Sequence, residues 1–340
     1  MEIELWSVFC ESDASLSHPC FSFAFAHTMH RVRPPVFVAV LEKFGRTLGF
    51  LPFQFPSPAA RVVRWGERVG GILGDRFGVI AAESLGLSSA QLLHLAGLNS
   101  LVYSFLPEEQ LRHGFAPQRA VIGQRLRLGD DPALFWSGLK ASSHKFTQGL
   151  ERKERVLTRE LGPLRMTFQA GASELPRLVA VKREQYRRTG ARDILADRWR
   201  VGAFEELLCT ADGHCTGVLS TLFAGDTWLA SHLGIMSRSV FHHWFPVYNT
   251  DWAKCSPGHI MTKELIGAAI KAGVLVFDFA AYGDYKDFFR PEPYTFHSGF
   301  WRADGFGGLL NNIAVSLSWR FARLKRSHRA RRAALRLKVG

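Results

Sequence analysis

The chain has 340 residues, enough for about two domains and for a sizeable core built without disulfide or metal staples. Hydrophobic residues make up 47% and charged residues 21%, a balance that excludes an intrinsically disordered chain. The net charge is +13, but nine Lys/Arg and no acid fall between Arg320 and Gly340, leaving +4 on everything before. That distribution argues for one appended basic surface and against a body built to bind DNA.

The longest uncharged stretch, 84–107, holds five Ser together with Gln91, His94 and Asn99, too polar for a membrane span. Cysteines stand at 10, 20, 209, 215 and 255 with no Cys-x-x-Cys pair, which speaks against a disulfide framework or zinc ribbon and suits a reducing, cytoplasmic setting. Met1-Glu2-Ile3-Glu4 lacks the basic and apolar regions of a secretory signal.

In chain order, 3–9 alternate and predict a strand, and helical spacing follows across 13–30. A hairpin is predicted from 36–41 and 47–55 about Lys43-Phe44-Gly45, with short strands at 61–66 and 77–82. Ser88-Ser89 caps a helix over 90–97 that Gly97 stops, and 100–106 is a strand. A long basic helix is predicted over 132–161, a strand over 164–169 and a helix over 176–189. A second hairpin, 215–223 with 227–235, turns at Gly225-Asp226, and 245–248 is a short strand. Ser256-Pro257-Gly258 opens a helix to about 272, with Pro257 at a first-turn position where its missing N–H costs nothing. Strands at 274–279 and 294–301 follow.

The same order of elements recurs in both halves, so the expected class is α/β with a mixed sheet, built as two similar units. The expected boundaries are 1–128 and 132–303, with a basic amphipathic tail over 304–340.

The segment from Phe245 to Phe289 carries the most information. Ser256-Pro257-Gly258, then Phe277-Asp278-Phe279, then Gly283-Asp284-Tyr285-Lys286 follow one another at fixed order. This set resembles the CelD/BcsL family of acyltransferases, whose BioF2-like domain is related to the GNAT and FemAB folds. Ser142-Ser143-His144-Lys145-Phe146, Gly49-Phe50-Leu51-Pro52-Phe53 and Gly74-Asp75-Arg76-Phe77-Gly78 also look like that family, so about 300 residues fit. The resemblance implies tandem GNAT-like units, a non-catalytic first and a competent second, and a link to exopolysaccharide production. One departure stands out: the Arg/Gln-x-x-Gly-x-Gly/Ala phosphate loop of GNAT enzymes is missing before the helix at 258, and Arg187-Arg188-Thr189-Gly190-Ala191-Arg192 imitates it only at a helix end.

Read from the residues alone, a strand, a Pro-Gly turn and a helix present N–H groups at a positive helix end, an anion site suited to a pyrophosphate or an ordinary strand-to-helix turn. Ser256, Pro257, Gly258 and His259 are the expected binding residues for an acyl-CoA co-substrate, with no metal. His27-x-x-His30 has metal-like spacing but no third ligand.

Acyl transfer needs a base, donors for the tetrahedral oxyanion, and an acid for the leaving thiolate. His232 is the candidate base, with a satisfied core histidine as the alternative. Asp251, Asp278 and Asp284 are candidates to orient it or act themselves; Asp278, between two Phe, has an equal reading as a structural carboxylate. Tyr285 is the candidate acid, with Tyr282 its competitor, and Lys286 can pair with a phosphate or sugar acid or bridge to Asp284 or Asp287.

The tail over 307–338 reads as an apolar-then-cationic helix suited to an anionic membrane surface, or as a basic terminus with no fixed partner. Three functions follow: a CoA-dependent N- or O-acyltransferase acting on a sugar, exopolysaccharide or lipid-linked precursor; a FemAB-like transferase using aminoacyl-tRNA; and a non-catalytic binding protein of the same fold.

Overall fold

A computed structural model describes residues 2–302; the basic tail expected over 304–340 lies outside them. The chain opens with α1 (Glu2–Ser12) and α2 (Phe23–Val32). The strand expected at 3–9 is therefore a helix. Leu5, Trp6, Phe9 and Cys10 share one helical face, and Glu2 and Glu4 sit in the first turn, where the helix dipole favours them.

The first hairpin forms as expected, from β1 (Val36–Lys43) and β2 (Arg46–Gln54) about Phe44 and Gly45, both with positive φ. Then come α3 (Pro58–Val62), β3 (Trp65–Glu67), α4 (Ser89–Leu95), β4 (Ser100–Pro107) and β5 (Arg119–Arg127). Of the strand expected at 61–66, the first two residues end α3, the next two turn, and only Trp65 and Gly66 are strand, in β3. The one expected at 77–82 is extended but makes only a single bridge, Ile80 to Phe50.

The long basic helix is two, α5 (Pro132–Ser142) and α6 (His144–Leu161), broken at Ser143 with φ −136°. In α6, Phe146, Leu150, Leu157 and Leu161 recur at helical spacing and turn inward. The remainder is β6 (Leu164–Thr167), α7 (Leu175–Thr189), α8 (Arg198–Cys209), β7 (Thr216–Ala224), β8 (Thr227–Met236), β9 (Val240–Tyr248), α9 (Pro257–Lys271), β10 (Val276–Ala281) and β11 (Glu292–Arg302). The second hairpin and the helix after Ser256-Pro257-Gly258 match their sequence expectations.

All strands join one mixed sheet in the order β1-β2-β3-β4-β11-β5-β10-β9-β8-β7-β6. The class is α/β, as expected. The last strand, β11, inserts between β4 and β5 and is antiparallel to both, and β5 in turn pairs with β10. The strands of the two halves therefore interleave at the centre.

Three apolar clusters hold the sheet. On one face of β7–β9, α1, α2, α7 and α8 bury Trp6, Phe25, Met29, Leu178 and Phe204. On the other face, α5, α6 and α9 bury Leu139, Leu150, Leu157, Ile260 and Leu265 against Phe241 and Phe277. Leu51, Leu92, Leu101, Tyr103 and Trp301 form a third beneath β1–β4. No helix among the described residues is long and apolar enough to cross a membrane.

Candidate active site

The local geometry starts from two parallel strands that part. β9 and β10 pair at only three positions, Val240 with Val276, Phe241 with Phe277 and His242 with Asp278. Beyond Asp278 the register of β10 against β5 shifts, Ala280 takes φ 56°, and β9 runs on to Tyr248 alongside β8. A non-glycine residue at positive φ is uncommon and needs support from its surroundings.

Lys286 gives part of that support. Its buried ammonium donates to the carbonyls of Phe279 at 2.8 Å and Ala281 at 2.6 Å, the residues on either side of Ala280. Burial lowers its pKa to about 8, although Asp278 and Asp75 act in the opposite sense. The Gly283 N–H donates to Gln124 at 3.0 Å, and the Tyr282 hydroxyl to Asp287 at 2.8 Å. The turn 283–286 is thus pinned to the end of β10.

Past the end of β9, a 3-10 turn (Thr250–Cys255) leads into α9. Ser256 sits at φ 53°, and its hydroxyl accepts from Lys153 of α6 at 2.7 Å. Pro257 contributes no N–H, while His259 and Ile260 donate to the Ser256 carbonyl. The Gly258 N–H has no partner within the chain among the described residues. His259 Nε2 lies 3.1 Å from the Tyr285 carbonyl, so this nitrogen carries the proton, and the contact ties the 283–286 turn to the start of α9.

Ser256, Pro257, Gly258, His259 and Tyr285 all line one cavity of about 590 Å³ at the carboxyl end of β9. Lys182 and Gln185 of α7, Trp244, Pro246 and Tyr248 of β9, Ala253 and Thr262 complete its wall, and no acidic residue lines it. Tyr285 is 44% exposed, and its partial burial pushes the phenol up to about 12, so it stays a proton donor at neutral pH. Burial draws the Lys182 ammonium down to about 8 and holds the His259 imidazole below its ordinary value.

The other residues expected at the site lie elsewhere. Asp284 faces a separate cavity of about 660 Å³ with 141–146, Asp287 and Phe288. Lys286 is beneath the 283–286 turn, bonded to backbone. His232 is fully buried; its Nε2 accepts the Trp244 N–H at 3.1 Å, and burial lowers its pKa to about 3. It holds the backbone of β9 just beyond the point where β10 departs, and it lines none of these cavities. His27 stacks on Phe23, and His30 accepts the Val36 N–H.

Beneath the fork lies a buried ionic cluster. The Asp278 carboxylate accepts from the Ala280 N–H at 2.9 Å, the Tyr294 hydroxyl at 2.5 Å, the Arg76 guanidinium and His242 Nδ1 at 3.2 Å. His242 Nε2 meets Asp75 at 3.1 Å, and His18 Nε2 lies 3.3 Å from Asp278. Burial alone would raise the Asp278 pKa, but the Arg76 charge and the imidazoles hold it well below the usual range. Burial likewise opposes charge on His242, and its bonds to Asp278 and Asp75 overcome this and raise its pKa. Protonated His242 and Arg76 then balance two carboxylates. His18, His242 and Asp278 offer ligand atoms within 4.8 Å of one another, but the Asp278 oxygen facing both imidazoles also takes Arg76, so positive charge already occupies that position.

A larger cavity of about 830 Å³ opens at the opposite end of the fork, beside 237–239, Leu275 and Val276. Most of its charges are spent internally: Glu11 meets Arg238 and His214, Asp13 meets Arg112, and Arg125 and Arg127 share Glu292. Ligands of open α/β sheets sit outside the carboxyl ends of the strands, which favours the 590 Å³ cavity.

Lys182, Gln185, Trp244 and Tyr248 escaped the sequence reading. Lys182 and Gln185 are three apart on α7, and Trp244, Pro246 and Tyr248 alternate on β9, so the spacing was present. Lys182 stands among Arg183, Arg187 and Arg188 and looks like one more solvated cation.

Residues 144–290, which hold this forked pair and the helix that starts at its open end, match the family model described as an acetyltransferase (GNAT) domain. Among solved structures, FemX is similar with a TM-score of 0.56 and 10% identity, over 81% of this chain and 90% of that one. A conserved protein of unknown function from Bacteroides thetaiotaomicron gives 0.51 and 8%, over 82% and 90%. The C-terminal domain (DUF2156) of a protein assigned as a lysylphosphatidylglycerol synthetase, from Agrobacterium fabrum, gives 0.50 and 11%, over 92% and 97%. No curated protein sequence matches the chain. At these identities the likeness is one of fold.

Proposed function

We propose that the chain is an acyltransferase that takes an acyl group from acyl-CoA and passes it to an amine or hydroxyl of a sugar, exopolysaccharide or lipid-linked precursor, as the CelD/BcsL resemblance implies. The observation that carries this is the acid-free 590 Å³ cavity at the open end of the β9/β10 fork, inside the segment matching the GNAT domain. The residues suit the donor: the start of α9 with the Gly258 N–H for phosphate, Lys153 beside it, and aromatic walls for the organic body.

In the transfer, the acceptor nitrogen or oxygen attacks the thioester carbonyl. The new C–N or C–O bond forms, the C–S bond breaks, and the thiolate takes the Tyr285 phenolic proton. The acceptor's proton goes to solvent or to His259 Nδ1, which has no partner within the chain among the described residues; Tyr285, 44% exposed, recovers its proton from water.

The second reading, a transferase using aminoacyl-tRNA, is favoured by one feature. Pro257 removes a donor, and the Ser256, His259 and Ile260 N–H groups already bond to carbonyls of the chain, so the start of α9 is poor in the N–H groups that a pyrophosphate loop supplies. Melting temperature separates the two. Acetyl-CoA or a longer acyl-CoA at a hundred times its dissociation constant adds about 2.7 kcal/mol to stability. A shift with thioesters supports the first reading; a shift with tRNA alone, steeply salt-dependent, supports the second.

A further inference from the structure

The α7 wall of the same cavity holds two polar groups without protein partners suited to them. Lys182 donates one N–H to the Pro246 carbonyl at 3.2 Å and forms no ion pair among the described residues. Its ammonium lies over the rings of Tyr186 and Phe245, and nothing acidic lines the cavity. One helical turn on, the Gln185 side-chain oxygen is buried and accepts no hydrogen bond. A partly buried cation with spare donors beside an idle acceptor is costly unless something else completes the pair.

The two helices that frame the cavity lie on opposite faces of the sheet. α9 packs in the cluster with α5 and α6, and α7 packs in the cluster with α1 and α8. A second cavity of about 400 Å³ shares Gln185 and Tyr248 with the first and continues along α7 past Trp228, Arg188 and Asn249. The donor is assigned to the α9 side, so the α7 side is free for the acceptor.

Building on the acyl-transfer reading, we propose that Lys182 and Gln185 form an acceptor subsite that selects a small molecule carrying a carboxylate together with the N–H or O–H to be acylated. The carboxylate pairs with the Lys182 ammonium, and the reacting N–H or O–H is steadied by Gln185 Oε1. An amino acid or a sugar acid carries both groups. The lowered pKa of Lys182 has the same origin, burial without a counter-charge.

The test uses the full chain with saturating acetyl-CoA and follows CoA release with two acceptor pairs, alanine against alaninamide and glucuronate against glucuronamide. Each pair differs only in the carboxylate. The expected result is a preference of about tenfold or more in kcat/KM for the acid of at least one pair, as charge-assisted hydrogen bonding gives. Lys182→Met should erase that preference and leave acetyl-CoA affinity unchanged; Lys182→Arg should retain part of it, and an unchanged melting temperature for the Met variant shows that it folds. Equal use of both members of each pair overturns the proposal, and so does CoA release with none of them. A tenfold loss of acetyl-CoA affinity in Lys182→Met with the preference intact also overturns it, because Lys182 would then serve the donor. Failure of acetyl-CoA to bind the wild-type chain removes the acyl-CoA reading itself, and this subsite with it.

Discussion

Asp278→Asn tests the ionic cluster that anchors the fork. The carboxylate is 2% exposed and the Arg76 side chain 6%, so both charges are out of water. The substitution leaves Arg76 with the Tyr294 hydroxyl and its neighbour's carbonyl, and leaves His242 with Asp75 alone. An amide also points an N–H at Arg76 or His242, which are themselves donors. Removing one partner of a buried, hydrogen-bonded ion pair costs about 3–5 kcal/mol, a large part of a total stability of about 5–15 kcal/mol. At about 1.4 °C per kcal/mol for a chain of this length, the melting temperature should fall by about 4–7 °C. Urea unfolding at pH 7, followed by circular dichroism, measures the loss directly. The same linkage fixes a pH dependence. A carboxylate whose folded pKa is depressed contributes stability above its unfolded value, near 3.9, and loses it as pH falls through the folded value. The gap between wild type and variant should therefore narrow at strongly acid pH. A loss below about 1 kcal/mol at pH 7 refutes the claim that this carboxylate compensates Arg76 in the dry interior.

Acid should weaken the fold well before the carboxylates titrate. Burial keeps His18, His113, His232 and His243 neutral, His113 near 4 and His232 near 3, while the unfolded chain protonates them below about pH 6.5. Each contributes at most about 2 kcal/mol of destabilisation at pH 5; His242, raised, works in the opposite sense and loses its contribution as pH climbs through its folded value. The urea midpoint should be lower at pH 5 than at pH 7, and an equal or higher one contradicts the burial of these rings. Lys286→Met should cost about 1–3 kcal/mol, because two carbonyls lose their donor. It should also weaken acetyl-CoA binding through the loosened 283–286 turn; calorimetry showing full affinity would separate the turn from the site. Gly258→Ala places a methyl 3.7 Å from Tyr248 Cδ1, an ordinary contact. It should leave stability unchanged or raise it by about 0.5 kcal/mol while lowering thioester affinity, and a folded variant with undiminished affinity would move the donor away from α9.

The hairpins, the Pro257 helix start and the β10 strand were legible because turn residues and apolar runs are local signals. The first helix was not: Ile3 to Phe9 satisfies a period of two as well as the spacing of Leu5, Trp6, Phe9 and Cys10, and burial against Phe50 and α2 decides between them. The break at Ser143 has no Gly or Pro to announce it. The insertion of β11 between β4 and β5 joins residues up to 202 positions apart, such as Arg302 and Ser100, and no local pattern encodes such a pairing. At the site, the Ser256 turn and Tyr285 were readable from motif order. Which titratable groups reach the cavity was not, because that depends on burial. His232 and Lys286 proved to be bonded to backbone, while Lys182, hidden in a run of arginines, lines the wall.

The central claim is that acyl-CoA binds at the open end of the β9/β10 fork. Hydrogen–deuterium exchange of the full chain, with and without saturating acetyl-CoA, tests it most directly. The account predicts slowed exchange confined to 244–248 and 256–262, the β9 and α9 walls of the 590 Å³ cavity. Slowed exchange at 237–239 and 275–276 instead, around the larger cavity at the other end of the fork, or no change at all, would contradict it.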